Sequence, residues 1–402
     1  MVLSTYGARG SVEPMAGLAV ALRELGAEVR VCAPPDEEFA ERLAEAGLSV
    51  VPTGRPVRPL VTTVAPGSAV GLAQRAAELM AAQFETVAAV AEGGDVLVAT
   101  GPLPVTAGAR SVAEKLGIRY VHACHQPVVL PSPYRRPPAR RGRPLPREVT
   151  DNRVLWDLDA RVANEMFGEL LDAQRAAAGL APVDDVRDYA FTDHPWLATD
   201  PVLDPWRPTD LDVVQTGAWI LPDERPLPAD LVEFLDAGAP PVYVGFGSTT
   251  MGAATDIARV AIEAVRARGR RAVVARGWAG LSLVDDRDDC FVVGEVNHQA
   301  LFRRVAAVVH HGSSGTTTTV TRAGAPQVVV PQGADQPYWA GRVSDLGIGV
   351  AHDGASPSVE SLSAALETAL APGTLARAEA VAGTVRSDGA TVAAKLLFDA
   401  VG

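Results

Sequence analysis

This sequence of 402 residues has few cysteines and no long apolar run, and both shortages exclude classes of protein. Its three cysteines, Cys32, Cys124 and Cys290, lie far apart in apolar surroundings, so we expect neither a disulfide scaffold nor a cysteine-based metal site. No apolar run reaches the ~18 to 20 residues of a membrane span, and the first residues lack a basic segment and a cleavage-like site. We therefore expect a soluble, cytoplasmic protein with no membrane partner.

Positive charge is also scarce, because 36 Lys and Arg residues stand against 48 Asp and Glu residues and give a formal net charge of -12. Nucleic acids and anionic membranes are bound by neutralising their phosphates with Lys and Arg. The charge therefore argues against both as main partners. A small anionic ligand would need local help from helix ends and from one or two cations.

Several common motifs are missing as well. The sequence has no Walker A motif, no His-Glu-x-x-His and no Gly-x-Ser-x-Gly, which removes several nucleotidase and hydrolase classes. The first turn, residues 5–11, holds Gly7 and Gly10 but lacks the pattern Gly-x-Gly-x-x-Gly, and no acidic residue clearly ends the next strand to hold a ribose. A nicotinamide-dependent dehydrogenase is therefore disfavoured.

What the sequence does contain is an alternation of short apolar strands with amphipathic helices, which runs through two halves of similar size. The first half opens with a strand over residues 2–5, a glycine turn and a helix over residues 13–25. The second half has strands over residues 242–245, 271–275 and 290–293. Such alternation is typical of parallel sheets covered by helices on both faces. The pattern predicts an α/β fold with two Rossmann-like domains.

Prolines mark the boundary between the halves. Seven of them fall between Asp193 and Pro228, a density typical of a linker between domains. We predict an N-terminal domain over residues 1–205, a linker over residues 206–228 and a C-terminal domain over residues 229–385.

Residues 310–343 form the stretch with the most ligand-type side chains. An apolar strand is followed by His311-Gly312-Ser313-Ser314-Gly315 and then by a segment that can be helical, an arrangement in which helix N–H groups face an anion. The glycines alone also fit a plain strand–turn–helix connection. The helix begins with threonines, which are mediocre helix formers, so either tertiary packing holds it or the hydroxyl of Thr316 binds phosphate.

Ligand-type residues also follow three other predicted strands of the second half. Ser248 follows the first, Arg276-Gly277-Trp278 the second and Val296-Asn297-His298 the third. Open α/β sheets bind ligands at the edge where the carboxyl ends of their strands meet. Trp278 either packs in the core or offers an aromatic face to a base or a sugar. Four consecutive strand ends of this kind indicate a ligand site.

One stretch interrupts the alternation in the first half. Residues 125–150 include a loop rich in proline and arginine, from Pro131 to Pro144. Long loops in compact domains are often functional, so this one is either an exposed, solvated loop or a flap that faces a substrate.

The chain resembles the family 1 glycosyltransferases of the two-domain B fold, and most closely the actinomycete enzymes that glycosylate vancomycin- and teicoplanin-type peptides. The segments that carry the resemblance are residues 3–10, 30–36, 192–196, 215–226 and 310–343. The resemblance implies a cleft between an N-terminal domain that binds the acceptor and a C-terminal domain that binds a nucleotide sugar. It also implies that a final helix, within residues 386–402, packs back on the N-terminal domain.

The resemblance further implies a role for individual residues. Val296 would lie near the base, Ser248 and residues 311–316 around the diphosphate, and Arg9 at the β-phosphate, while Asp335 and Gln336 would hold sugar hydroxyls. His310 is interpreted as structural, because the family's ligand position matches His311. The predicted donor-binding residues are Arg9, Ser248, Trp278, Val296, His311, Gly312, Ser313, Gly315, Thr316, Asp335 and Gln336.

The reaction that the resemblance implies is an inverting transfer without metal or cofactor. A hexose, glucose or N-acetylglucosamine, would pass from a UDP-sugar, favoured over a dTDP-sugar, to a hydroxyl of a glycopeptide antibiotic aglycone. Two alternatives stay open. The acceptor could be a polyketide or another natural-product aglycone, or the chain could be a catalytically silent binding protein.

The silent alternative is motivated by Ser11, since relatives usually carry an aspartate there as the general base. A serine cannot take a proton at neutral pH without a partner of its own. Asp335, His125 or Glu13 could serve as the base instead. A phenolic acceptor, with a pKa of about 10, would need little help. We favour a phenol assisted by Asp335 or His125.

Overall fold

The computed structural model describes residues 1–62, 69–140, 142–248, 254–283, 285 and 287–401. The chain divides into two compact units. The first comprises Met1–Pro201, Pro205–Leu221 and Arg386–Gly402, and the second comprises Val202–Asp204 and Pro222–Val385. Each unit is built around one parallel sheet with helices, so the predicted α/β class with two Rossmann-like domains is confirmed.

The sheet of the first unit has seven strands, all parallel, in the order β3-β2-β1-β4-β5-β6-β7. The strands are β1 Val2–Thr5, β2 Arg30–Ala33, β3 Val50–Pro52, β4 Val96–Thr100, β5 Arg119–Cys124, β6 Trp196–Leu197 and β7 Val214–Gln215. The helices are α1 Arg9–Glu24, α2 Glu37–Glu45, α3 Val57–Thr62, α4 Ala69–Ala82, α5 Ala88–Ala91, α6 Leu103–Leu116, α7 Asn152–Ala177 and α8 Val186–Phe191. The strands β1 and β4 are buried along their whole length, as expected for a sheet covered on both faces.

The sheet of the second unit has six parallel strands in the order β10-β9-β8-β11-β12-β13. The strands are β8 Val242–Gly245, β9 Ala272–Ala275, β10 Cys290–Val293, β11 Ala307–His310, β12 Gln327–Val329 and β13 Gly349–Ala351. The helices are α9 Ala229–Asp236, α10 Ala254–Ala267, α11 His298–Leu301, α12 Ser314–Ala323, α13 Gln336–Asp345, α14 Val359–Ala369 and α15 Pro372–Ala382. Three apolar clusters of the described residues form the core: α10 and α14 contribute to the first, α9, α11 and α12 to the second, and α13 and α15 to the third.

The last helix, α16 Gly389–Asp399, belongs to the first unit and packs against α1. Glycine makes the close approach possible: a Cβ atom on Gly389 would lie 2.4 Å from the carbonyl carbon of Gly217, and one on Gly17 would lie 2.8 Å from that of Ile220. Residues 217–221 are thus embedded between α1 and α16.

The predicted linker over residues 206–228 is wrong over most of its length. Pro205–Leu221 belongs to the first unit, where Val214 and Gln215 pair with β6 as the last strand of the sheet and Trp219 is buried. The boundary after the linker segment therefore lies at Leu221–Pro222. The prolines mark irregular backbone that packs on the sheet, and density of proline alone does not distinguish this from a free linker.

Other element bounds differ from the prediction for identifiable reasons. The helix α1 begins at Arg9, four residues before the predicted start, and Ala8 is its N-cap residue. The helices α4 and α5 are joined by a π-helical turn at Gln83–Val87. There the buried Gln83 accepts a hydrogen bond from the Ser4 hydroxyl at 2.8 Å. No helix within the described residues is long and apolar enough to cross a membrane.

Candidate functional site

The sheet order of the second unit places a ligand site between β8 and β11. From β8 the chain continues outward to β9 and β10 on one side, and from β11 it continues to β12 and β13 on the other side. The connections after β8 and β11 therefore diverge and leave a crevice at the carboxyl ends of these two strands. The residues at these two ends are Gly247 and Ser248 after β8, and His311 and Gly312 after β11. The sequence analysis had singled out Ser248, His311 and Gly312.

The two strand ends are in contact. A Cβ atom on Gly247 would lie 3.2 Å from Cε1 of His311, so the ring of His311 packs on this turn. The N–H of Trp278, which follows β9, donates to the carbonyl of Gly247 at 2.9 Å. Gly277 must lack a side chain, because its Cβ would lie 2.6 Å from the same carbonyl oxygen. Ser248, Trp278 and His311 are therefore brought to one edge. The residues after Ser248, up to 253, lie outside the described part of the chain.

His311 is buried and uncharged at neutral pH. Its side chain is 6% exposed, and burial lowers its pKa to about 4. Its Nδ1 has no hydrogen-bond partner among the described residues. A buried polar atom without a partner costs roughly 1–3 kcal/mol, which is tolerated where a ligand supplies the missing bond.

The turn after His311 forms the start of α12. Ser313 is the N-cap residue: its hydroxyl accepts from the N–H of Thr316 at 3.4 Å and donates to the hydroxyl of Thr316 at 3.0 Å. The first N–H groups of a helix lack carbonyl partners within the helix and carry a partial positive charge. Gly315, in this first turn, has open space where a Cβ would be. The turn is suited to an anion.

The threonines of α12 are held by packing, which was one of the two predicted explanations. Thr317, Thr318 and Thr321 are buried, and the hydroxyl of Thr321 donates to the carbonyl of Thr317 at 2.8 Å. Tertiary contacts thus compensate for the low helix propensity of this segment. The role of Thr316 at a phosphate stays a prediction.

His310 is a satisfied core histidine, as predicted. The N–H of Gly312 donates to its Nδ1 at 3.1 Å, and its Nε2 lies 2.9 Å from Oε1 of Gln327. These partners fix the tautomer with the proton on Nε2. Gln327 in turn donates to the hydroxyl of Thr321 at 2.8 Å. One buried network therefore ties the end of β11, the head of β12 and α12 together, and it uses the N–H of Gly312 internally.

Asp335 and Gln336 lie beside the turn. A Cβ atom on Gly312 would lie 3.5 Å from Cβ of Gln336. Gln336 begins α13, and its Oε1 accepts from the N–H of Gln332 at 2.7 Å. Asp335 is buried, and its Oδ2 accepts from the indole N–H of Trp339 at 2.8 Å. Burial raises the pKa of Asp335, and the bond from Trp339 acts in the opposite direction.

Val296 and Asn297 have structural partners. Val296 is buried in the apolar cluster of α9 and α11. Asn297 caps α11 and donates to the carbonyls of Asp223 and Arg225, both at 2.8 Å. His298 lies 3.0 Å from the hydroxyl of Tyr243. This strand end is built from core and capping contacts, so the predicted place of Val296 near a base stays a prediction.

In the first unit, the matching divergence point of the sheet lies between β1 and β4. Ser11 is in the first turn of α1 after β1, and a Cβ atom on Gly7 would lie 2.5 Å from the Ser11 Oγ. Arg9 forms an ion pair with Glu13 at 2.9 Å, and Arg42 approaches the same carboxylate at 3.4 Å. The carboxylate of Glu13 is thus already engaged by two guanidiniums.

His125 follows β5 at the same edge of this sheet. It is buried, it contacts Trp219 edge-on with ring centroids 5.5 Å apart, and neither ring nitrogen has a hydrogen-bond partner among the described residues. Burial lowers its pKa to about 4. His122, three residues earlier, is also buried and stacks on Phe191 at 4.6 Å. Two candidates for the general base lie in this unit. The ring nitrogens of His125 have no partner among the described residues, whereas the carboxylate of Glu13 forms an ion pair with Arg9.

The loop rich in proline and arginine is fastened to the unit. Arg140 binds the buried carboxylate of Asp159 with two hydrogen bonds, at 2.6 and 2.9 Å. Arg136 donates to two carbonyls within the loop, and the indole of Trp156 donates to the carbonyl of Arg135 at 2.9 Å. The expectation of a solvated loop therefore misses these anchors; whether the loop faces a substrate stays open. Arg141 lies outside the described residues.

The sequence analysis missed two residues beside the turn after β11 in the second unit, Trp339 and Gln327. Trp339 could have been found from its spacing, because Asp335 and Trp339 are separated by one helical turn at a helix start. Gln327 carried a weaker signal, as a polar residue at the head of an otherwise apolar strand.

Comparison with known proteins gives full-length relatives. The chain is 60% identical over 403 residues to glycosyltransferase GtfE of Amycolatopsis orientalis, covering 100% of this chain and 98% of the relative. It is 56% identical to vancomycin aglycone glucosyltransferase and 52% identical to dTDP-epi-vancosaminyltransferase of the same organism, in each case covering 100% of this chain and 97% of the relative. Residues 287–391 match the C-terminal domain of the erythromycin biosynthesis protein CIII-like family.

Solved structures agree on the fold. The glycotransferase of kitacinnamycin superposes with a TM-score of 0.73 at 20% identity, covering 100% of this chain and 99% of the other. The glycosyltransferase VinC, solved in complex with dTDP, superposes with a TM-score of 0.65 at 18% identity, with the same coverage. The predicted glycosyltransferase B fold is confirmed by these matches.

Proposed function

Because the chain belongs to the glycopeptide glycosyltransferase family of these relatives, we propose that it transfers a hexose from a UDP-sugar to a phenolic hydroxyl of a glycopeptide aglycone. The observation that carries the proposal is the turn after β11. There a buried His311, whose Nδ1 has no partner in the part of the chain that the structure describes, adjoins the N-terminus of α12 and the pair Asp335 and Gln336.

The turn would bind the diphosphate. The N-terminus of α12 supplies N–H groups and a partial positive charge, and Thr316 supplies a hydroxyl. His311 is neutral at pH 7, so it would donate a hydrogen bond to a phosphate oxygen and not act as a cation. Such a preorganised donor stabilises the charge that develops on the leaving diphosphate by about 3 kcal/mol. Arg9 would add a positive charge at the β-phosphate.

Asp335 and Gln336 would hold hydroxyls of the sugar. Their side chains are fixed by Trp339 and by Gln332 respectively, and both carry acceptor oxygens. A hexose rich in hydroxyls, glucose or N-acetylglucosamine, matches such acceptors better than a deoxyamino sugar. A relative that is named for glucose transfer to vancomycin aglycone supports this choice, and one named for dTDP-epi-vancosamine supports the alternative of a dTDP-sugar.

In the reaction, the acceptor oxygen forms a bond to the anomeric carbon as the bond from that carbon to the diphosphate oxygen breaks. Attack from the opposite side inverts the configuration. The acceptor proton passes to the base, and the nucleoside diphosphate leaves with the electron pair. Donor-site residues supply the positive and hydrogen-bonding groups for this departure, and we propose no metal in the step.

We assign the role of base to His125. Its ring nitrogens have no partner among the described residues, whereas Ser11 lacks a basic group and the carboxylates of Glu13 and Asp335 are already bonded. With a pKa of about 4 it is a weak base, so the acceptor must be one that loses its proton more readily than an aliphatic alcohol, such as a phenol with a pKa of about 10.

The test is to incubate the protein with UDP-glucose, UDP-N-acetylglucosamine and dTDP-glucose together with a heptapeptide aglycone and to follow the mass of the aglycone. We expect a mass gain of one sugar, with a UDP-sugar as the better donor. A product formed only with polyketide or other aglycones would contradict the proposed acceptor.

A second function is favoured by one observation, the serine at position 11. A chain without the usual carboxylate could bind a nucleotide sugar and leave it unreacted. The same incubation separates the two functions, because a silent binding protein would bind the donor and give neither transfer nor hydrolysis.

A further inference from the structure

Trp339 is the largest fully buried side chain of the second unit, and its one hydrogen-bonding group donates to Asp335. The indole is 0% exposed and lies in an apolar cluster with Leu203, Val329 and Val343. Its single polar atom, Nε1, donates to Oδ2 of Asp335 at 2.8 Å. Packing alone would be satisfied by a ring without the N–H group.

The backbone around Asp335 is held in an uncommon conformation. Ala334 has φ +53°, a left-handed value that is unfavourable for a residue with a side chain. Asp335 occupies the N-cap position of α13, yet its carboxylate makes no cap hydrogen bond to that helix. It turns instead to an indole one helical turn further on. Both features keep the carboxylate in one orientation.

The neighbouring Gln336 is fixed in a comparable way, because its Oε1 accepts from the N–H of Gln332 at 2.7 Å. The pair that adjoins the turn after β11 is therefore set before any ligand arrives. Burial raises the pKa of Asp335, and the bond from Trp339 lowers it, so the indole helps to keep the carboxyl group ionised.

We propose that Trp339 is a positioning residue for donor recognition: its indole N–H fixes Asp335 in the orientation in which the carboxylate accepts a hydroxyl of the donor sugar. This inference rests on the proposed function, since it assumes that Asp335 holds the sugar. It assigns to the N–H, and not to the ring, a share of the affinity for the sugar and none of the affinity for the nucleotide.

The test compares Trp339→Phe, which keeps a buried ring and removes the N–H, with Tyr338→Phe. Tyr338 is the adjacent residue of α13, and its hydroxyl bonds to Asp204, so this control also removes one part-buried hydrogen bond to a carboxylate without touching Asp335. Binding of UDP-glucose and of UDP is measured by calorimetry, and KM and kcat for glucose transfer are measured alongside.

We expect Trp339→Phe to weaken UDP-glucose about tenfold and to raise its KM by a similar factor, while UDP binds as it does to wild type; a hydrogen bond to a charged group has an effect of this size. Tyr338→Phe should change neither affinity. In an Asp335→Asn background, Trp339→Phe should add less than about threefold, because the two changes act on one contact.

An equal loss of affinity for UDP and UDP-glucose would show a structural role and overturn the inference, and so would an unchanged affinity for UDP-glucose. Both results leave the proposed function intact provided that wild type transfers glucose. If wild type transfers no sugar from any donor, the proposed function fails, and the inference fails with it.

Discussion

The edge of the second sheet and the edge of the first are built differently. At the edge of the second sheet, polar side chains are held by hydrogen bonds: His310 by Gln327, Gln336 by the backbone N–H of Gln332, and Asp335 by Trp339. At the edge of the first sheet, His122 and His125 are buried with all four ring nitrogens unpartnered among the described residues. At the second edge, these side chains, though not that of His311, are therefore held in place before a ligand binds, whereas the two histidines of the first edge are not.

This difference indicates a division of labour. A fixed set of donors suits a constant ligand, the nucleotide sugar, because preorganised groups need no rearrangement as charge develops. A buried neutral imidazole has one nitrogen that can accept the proton of the acceptor hydroxyl. The departure at Ser11 lies on the first edge, so the chemistry of proton removal is where this chain differs from the pattern its resemblance implies.

The largest expected effect is at the fixed edge. His311→Ala should lower kcat/KM for glucose transfer by about 100-fold to 1,000-fold, because it removes one donor to the leaving diphosphate. Because the buried ring also packs on the turn after β8, the variant should lose some stability, and urea unfolding measures the fraction that stays folded under assay conditions. A loss of activity that merely follows a loss of folded protein would remove the distinction between the two edges.

The next effect tests the other edge. His125→Phe should lower kcat by about 100-fold, the usual share of a general base, with KM for the donor unchanged. His122→Phe is the matched control, because it removes a second buried histidine of the same region, which stacks on Phe191. We expect it to change kcat by less than about threefold. Equal losses in both variants would contradict the role of His125 as the base.

A third prediction concerns pH and both edges together. Burial lowers the pKa of His122 and His310 to about 3 and that of His125 and His311 to about 4, below an unfolded value of about 6.5. Each contributes stability that is complete above pH 6.5 and is lost as the pH falls toward the folded pKa. At pH 5 the loss should be about 2 kcal/mol for each histidine.

Urea unfolding at pH 7.5, 6 and 5 measures this dependence. His122→Phe should make it shallower by the share of one histidine. An unfolding free energy that stays flat between pH 7.5 and 5 would mean that these rings are accessible to water or already paired in solution.

The smallest expected effect is at Ser11. If His125 takes the proton, Ser11→Asp should change kcat by less than about threefold, because a second base adds little to a step that already has one. Steady-state turnover with the same donor and aglycone measures it. A clear rise would show that the missing carboxylate limits the reaction and would move the base from His125 to position 11.

Much of the fold was predictable because several strands of both sheets, among them β1, β4, β8 and β11, are short apolar runs. The strand β8 and the turn with Ser248 follow directly from such a run, whereas the interpretation of His310 as structural and of His311 as the ligand residue came from the resemblance to the glycosyltransferases. The periodicity of the helices gave most of their extents, with errors of a few residues at the ends.

The remainder depends on contacts between segments distant in sequence. In the π-helical turn, Gln83 accepts a hydrogen bond from Ser4, which lies 79 residues away in the sequence. The seventh strand consists of two residues whose place is set only by pairing with β6, which is why the linker was placed too early. At the site, Gln327 acts through its hydrogen bond with His310, 17 residues before it. The lack of a hydrogen-bond partner for His125 among the described residues is likewise a property of the folded chain and not of the local sequence.

The most direct test is the structure of the product, determined by NMR after incubation with UDP-α-glucose and a heptapeptide aglycone. The proposal predicts a single β-linked hexose on a phenolic oxygen. An α-linkage, a sugar on an aliphatic hydroxyl, or a bound donor that yields no product would contradict it.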